Sequence, residues 1–180
     1  TTSSPDLAER IAQKASVSTV LSLDAPVSGG DVGAEGGTLA IMCGGEKEAF
    51  ARAEPLLQCL GDKIKYFGGP GAGQRVKMSN QILIASTMVG MVESMLYAER
   101  AGLQVSEVIE LIGKGAAGCW SINNLGPRII KEDWAPGFYI KHFLKDMRIA
   151  LDDSSRMGLN LEGQALAQRF YSLAHSHDWE

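Results

Sequence analysis

A mostly apolar stretch over residues 73–101 follows a glycine-rich turn and meets no proline until Pro127. Such a pattern predicts one long helix entered through a flexible loop. At 1.5 Å per residue it would be ~43 Å long, enough to cross a small domain. Lys77 and Asn80 stand three apart near its start and share a face. The chain before it alternates between helix and strand signals. Ser4-Pro5-Asp6 predicts a helix start, with a serine cap, proline at the first position and an acid in the first turn, and a helix running to Ala15. Residues 17–24 (VSTVLSLD) predict a buried β-branched strand, followed by a loop over 26–37 with five glycines. A second strand is expected over 38–43, a helix from Glu46 that Pro55 kinks or restarts and that ends near Gly61, and a third strand over 63–67.

Beyond Gly102 no further strand is expected. Helices are predicted from a cap at Ser106 to Gly113 or Gly115, over 120–131, over 142–157 with Gly158 closing it, and over 164–174. The organisation is an α/β piece over residues 1–70 followed by an all-helical piece over 71–180. Three short strands make a poor independent layer, and the pattern opens on a helix. A larger sheet whose first strands lie outside this sequence is therefore expected.

The totals narrow the function classes. Of 180 residues, 45% are hydrophobic and 21% charged, the balance of a globular protein with a true core. A net charge of -4 without any basic run gives no attraction to nucleic acid or anionic lipid. Glu93, Glu99 and Arg100 interrupt the long apolar segment, so no membrane span is expected. The opening TTSSPDLAER lacks the basic-then-apolar order of a secretory signal, and Cys43, Cys59 and Cys119 suit reduced thiols, which together predict a cytoplasmic protein. With only His142, His175 and His177 and no Cys/His cluster, no metal site is expected. The glycine turn GGPGAGQR lacks the last glycine of the dinucleotide fingerprint and the Gly-Lys-Ser/Thr of a P-loop, so it is not read as a phosphate cradle. Trp120 and the methionines at 88, 91 and 95 are assigned to packing.

Three strings, in order, carry a family resemblance. Residues 24–30 (DAPVSGG) resemble the substrate-binding motif of the β-hydroxyacid dehydrogenase family, the 3-hydroxyisobutyrate dehydrogenase-like enzymes. Residues 71–80 (GAGQRVKMSN) resemble its catalytic motif, and residues 143–150 (FLKDMRIA) its later lysine-aspartate motif beside the cofactor. The resemblance covers nearly the whole chain but omits the Gly-x-Gly-x-x-Gly opening of the family's cofactor domain. It implies the end of a Rossmann domain, a long interdomain helix and a helical domain like the C-terminal one of 6-phosphogluconate dehydrogenase. Homodimers or homotetramers would form through that helical domain. Asn80 is followed by Gln81 where many members have a second asparagine, a variant more similar to the tartronate, glyoxylate and succinic semialdehyde reductase branches.

The resemblance implies an oxidoreductase using NAD or NADP on a small 3-hydroxy acid and its semialdehyde, or on glyoxylate and glycolate. Lys77 would be the general acid/base, since an ordinary lysine pKa of ~10.4 keeps it protonated for reduction. Ser28, Gly29 and Gly30 would bind the substrate carboxylate through backbone N–H groups and a hydroxyl. Asn80 and Asp146 would hold the substrate, with Lys145 and Phe138 on the cofactor side. Two alternatives stay open: a catalytically silent oligomerisation or scaffold module of this fold, and a 6-phosphogluconate dehydrogenase relative, which would need a basic phosphate cluster that the sequence lacks. This chain alone, without a cofactor fingerprint, is expected to be inactive.

Overall fold

The computed structural model describes residues 2–179. An α/β portion is followed by an all-helical one, in the predicted order. α1 (Pro5–Val17) starts as expected: Ser4 Oγ accepts the Leu7 N–H at 3.1 Å, and Pro5 occupies the first turn. It runs past Ala15, and the strand predicted over 17–24 shrinks to β1 (Leu23–Asp24). The N–H groups of Ser18 and Val20 both bond to the Ala15 carbonyl, and Thr19 adopts φ +55. The β-branched run thus closes a helix instead of opening a strand.

The predicted five-glycine loop contains β2 (Val27–Ser28) and α2 (Gly30–Glu35). β3 (Ala40–Gly45) pairs antiparallel with β1 through Leu23↔Gly45 and Asp24↔Gly44. It pairs antiparallel with β2 through Val27↔Ile41 and Ser28↔Ala40. All four pairs hold one register, so β1 and β2 are two halves of a single edge strand. The interruption is Ala25-Pro26, where proline has no N–H to give; the Met42 N–H still donates to the Pro26 carbonyl at 3.0 Å. β4 (Lys63–Tyr66) lies parallel on the other edge of β3. α3 (Lys47–Leu57) carries Pro55 inside its last turn without a restart, and ends before the predicted Gly61. Leu39, Ile41 and Cys43 form the core under this layer.

α4 (Ala72–Arg100) is the predicted long helix, within one residue at each end. It serves three packing regions in turn. Its first turn abuts the sheet, Ala85 joins Phe143, Leu144, Met147 and Ala167, and Met91 and Met95 join Ile109 and Ile122. Against the expectation above, α4 is long and apolar enough by composition to cross a bilayer, with a mean hydropathy of 1.3 over 18 residues. It packs against the sheet and the later helices with Lys77 and Gln81 buried on it, while only 28% of that apolar window is buried within this chain.

α5 (Val105–Ile112) begins one residue before Ser106, which lies in its first turn and caps nothing. The helix predicted over 120–131 is a π-helical stretch, Ser121–Leu125, running into α6 (Gly126–Ile130), with Pro127 in a first turn where its missing N–H is harmless. α7 (Ile140–Arg156) and α8 (Glu162–Ser176) complete the chain. Met91 and Met95 are buried and Met88 packs beside them, as assigned, whereas Trp120 is 68% exposed.

Candidate functional site

The site is assembled where α4 leaves the sheet. Its entry residue, Gly71, sits at φ +82, a conformation that favours glycine. The first turn lies backbone to backbone on the strands. A Cβ on Gly44 would stand 2.5 Å from the Gly73 nitrogen, and a Cβ on Gly73 would overlap the Met42 carbonyl oxygen. These glycines allow close approach between elements. Because Gly71 has no side chain, the cap comes from elsewhere: Asp24 Oδ1 accepts the Gly71 N–H at 2.8 Å and Oδ2 the Gln74 N–H at 2.9 Å.

One turn further, Lys77 is only 8% exposed. Burial pulls its pKa below the ordinary lysine value; the Asp146 carboxylate opposes this, and the Lys145 charge adds to it. Asn80 and Gln81 follow on the same face, three and four residues on. The Asn80 amide donates to Gln81 Oε1 at 2.9 Å, and the Gln81 amide donates to Asp146 Oδ2 at 2.7 Å. Asp146 is buried on α7. Lys145 Nζ lies 2.8 Å from Asp146 Oδ1 as an ion pair, although that oxygen receives no hydrogen bond of good geometry. The same ammonium donates to the Thr2 carbonyl at 2.7 Å, and the Ser3 N–H donates to Gln74 Oε1 at 3.0 Å. Arg75 extends the connection, pairing with Glu9 of α1 at 2.7 Å and with Asp153 of α7 at 3.5 Å.

Of the residues singled out in the sequence, Lys77, Asn80, Lys145 and Asp146 fall into this one cluster. The Asn80 amide is engaged by Gln81, on the same face of α4 as Lys77. Ser28 is held in the ladder opposite Ala40, Gly29 caps α2 at φ +136, and Gly30 begins that helix at φ +65. Among the described residues no hydrogen bond joins these three to the lysine cluster. Phe138 is exposed, its ring edge-on to Phe143 with centroids 6.0 Å apart and 6.3 Å from His142.

Two residues escaped the sequence reading. Gln81 stands in the sequence as a departure from the double asparagine, although its place four residues after Lys77 puts it on the same face. Asp24 opens the 24–30 string, and no local pattern announces its contact with backbone 47 residues away.

Two family models match the chain. Residues 71–179 match the family model described as NAD-binding of NADP-dependent 3-hydroxyisobutyrate dehydrogenase. Residues 1–68 match that of the NAD binding domain of 6-phosphogluconate dehydrogenase. The chain is 51% identical to an uncharacterized oxidoreductase of Bacillus subtilis, over 95% of this chain and 59% of that protein. It is 39% identical to 2-hydroxy-3-oxopropionate reductase of Escherichia coli, over 83% of this chain and 51% of that protein. Among solved structures, 3-hydroxyisobutyrate dehydrogenase of Mycobacterium tuberculosis with L-serine superposes with a TM-score of 0.90 at 31% identity, covering 98% of this chain and 63% of that one. The chain thus spans between half and two thirds of the length of these relatives.

Proposed function

The chain belongs to the β-hydroxyacid dehydrogenase family, and from that premise we propose that it forms the substrate-side part of an NAD(P)-dependent oxidoreductase. The reaction would interconvert a small 3-hydroxy acid and its semialdehyde, or glycolate and glyoxylate, with Lys77 as general acid and base. The observation that carries this reading is a lysine buried in the second turn of α4, its pKa lowered by that burial.

In reduction, the Lys77 ammonium would give a proton to the carbonyl oxygen as it becomes a hydroxyl. In oxidation, the neutral amine would take that proton back, and burial brings the neutral form closer to physiological pH. The nicotinamide cofactor would supply or accept the hydride. A half-exposed ammonium at Lys145 and an exposed ring at Phe138, on and just before α7, suit a charged, partly aromatic cofactor, and these two residues would hold it. Asp146, fixed by Gln81, would keep α7 in register with α4, so that Lys145 and Lys77 face one space. Ser28, Gly29 and Gly30 would bind the carboxylate, because positive φ at both glycines turns the backbone with no side chain in the way. The relative whose structure is solved with L-serine is paired with a molecule whose carboxylate and hydroxyl are spaced as in a 3-hydroxy acid, which supports that substrate class. Exposed Leu83, Leu96, Tyr97, Phe170, Leu173 and Trp179 on the helical portion support a homodimer or homotetramer formed through it.

The test uses the full enzyme, with its cofactor-binding opening, on a panel of small hydroxy acids and semialdehydes. Lys77→Ala should lower kcat by roughly 10²- to 10⁴-fold with the fold intact. Near-normal turnover in that variant would remove Lys77 from the chemistry. A folded wild-type oligomer that turns over nothing on the panel would instead favour a scaffold.

A further inference from the structure

The helix that carries Lys77 has a bare glycine at its cap, yet its first turn is held by two hydrogen bonds to a side chain from another element. The Asp24 carboxylate straddles it, one oxygen on the Gly71 N–H at 2.8 Å and the other on the Gln74 N–H at 2.9 Å. An N-cap aspartate normally bonds the third N–H of its own helix; here the same role is filled from a strand. Two glycines lie against the carboxylate. A Cβ on Gly44 would come within 2.8 Å of Oδ1, and a Cβ on Gly73 within 2.9 Å of Oδ2. Neither glycine could carry a side chain without its Cβ meeting the carboxylate.

What lies on either side of this contact gives it meaning. Lys77 stands three residues after Gln74, so the bond to the Gln74 N–H fixes both the height and the rotation of the turn that presents the lysine. Asp24 itself belongs to the edge strand that continues, in one register, to Ser28 four residues later. A single side chain therefore joins the strand leading to the proposed carboxylate loop and the helix bearing the proposed proton donor. We propose that Asp24 is a positioning residue, which sets the placement of Lys77 relative to the Ser28–Gly30 loop. The proposal rests on the dehydrogenase reading above.

The experiment compares Asp24→Asn, Asp24→Ala and Asp24→Glu in the full enzyme. A shift of about 1 Å in a reacting group costs up to ~100-fold in rate. The expected result is a kcat, per folded molecule, lowered by roughly 10- to 100-fold in Asp24→Ala, with KM for the dinucleotide unchanged. Asp24→Asn, of the same shape but with one acceptor, should fall between wild type and alanine. Asp24→Glu should fail to rescue, because an added methylene displaces the carboxylate from the Gly71 and Gln74 N–H groups that it now meets together. A purely structural role would lower the melting temperature and the folded fraction but leave kcat per folded molecule within twofold of wild type, and that result overturns the proposal. A second readout needs no turnover: the rate at which Lys77 reacts with an amine-selective acylating reagent, mapped by mass spectrometry against the exposed lysines. Mispositioning should raise it severalfold in Asp24→Asn and Asp24→Ala, and an unchanged rate in both overturns the proposal. If wild type turns over nothing on the hydroxy-acid panel, the functional reading fails by itself, and the labelling still decides whether Asp24 positions Lys77.

Discussion

Replacing Gly73 by alanine sets two effects of known size against each other. In a helix, Gly→Ala is stabilising by up to ~1 kcal/mol, through lower backbone entropy in the unfolded chain. At Gly73 the added Cβ would overlap the Met42 carbonyl oxygen and stand 2.8 Å from the Asp24 carbonyl oxygen and 2.9 Å from its Oδ2. Met42 is in the central strand, tied to the edge strand through its own N–H, and cannot yield. The first turn of α4 must back away by roughly 1 Å, which stretches both hydrogen bonds to Asp24 beyond the ~3.5 Å at which they stop counting. Each bond to a charged group contributes about 1.5–3 kcal/mol, so losing both against the gain of ~1 kcal/mol leaves a net destabilisation of about 2–5 kcal/mol. For a chain of this size that corresponds to a fall in Tm on the order of 10 °C. Gly90 is the internal control: it lies in the same helix, and a Cβ there would meet nothing within 4 Å. Gly90→Ala should stabilise by about 0.5–1 kcal/mol. Urea denaturation followed by far-UV circular dichroism measures both variants. If Gly73→Ala is as stable as Gly90→Ala, the close packing of α4 on the sheet is wrong.

Two further outcomes follow from the lysine cluster. Lys77→Met should be more stable than wild type at neutral pH, because a folded-state pKa below the ordinary value means that the unfolded chain binds more protons than the folded one. Wild-type stability then rises with pH between the lowered folded pKa and the unfolded value of ~10.4, so the advantage of methionine shrinks across that window; urea midpoints at pH 7 and near pH 10 check the sign, and a methionine variant weaker at pH 7 contradicts it. Gln81→Ala and Asp146→Ala should each destabilise by about 1–3 kcal/mol by stranding a buried partner, and the pair should be non-additive by about 0.5–3 kcal/mol. Strict additivity in a double-mutant cycle would mean that the 2.7 Å bond between them contributes nothing.

Much of this could be read from the residues, and the failures share a cause. The Ser4-Pro5 start and the long helix were legible because caps and apolar runs act locally, over one or two turns. The strand over 17–24 was misread because the β-branched VSTV run satisfies its backbone by closing α1, an outcome that depends on which carbonyls are within reach. β2 and α2 hid inside a glycine-rich loop because their hydrogen bonds come from β3 and from a single turn. In the site, helical spacing marks Lys77 and Asn80, the resemblance adds Lys145 and Asp146, and the structure adds what joins them. Gln81 was visible from helical spacing. Asp24 was not, since its partners are backbone groups far along the chain, and backbone leaves no mark on sequence.

The long helix described above also governs how the molecule comes apart. Its 29 residues serve the sheet, then the α7–α8 cluster, then the α5 cluster, with no spare turn between them. Neither portion can melt without withdrawing a surface on which the other depends. Local opening on one side is therefore felt on the other, and the two portions unfold as one cooperative unit although each has a core of its own. A substitution near Met95, some 27 Å along the helix axis from Lys77 at ~1.5 Å per residue, reaches the lysine through rigidity alone.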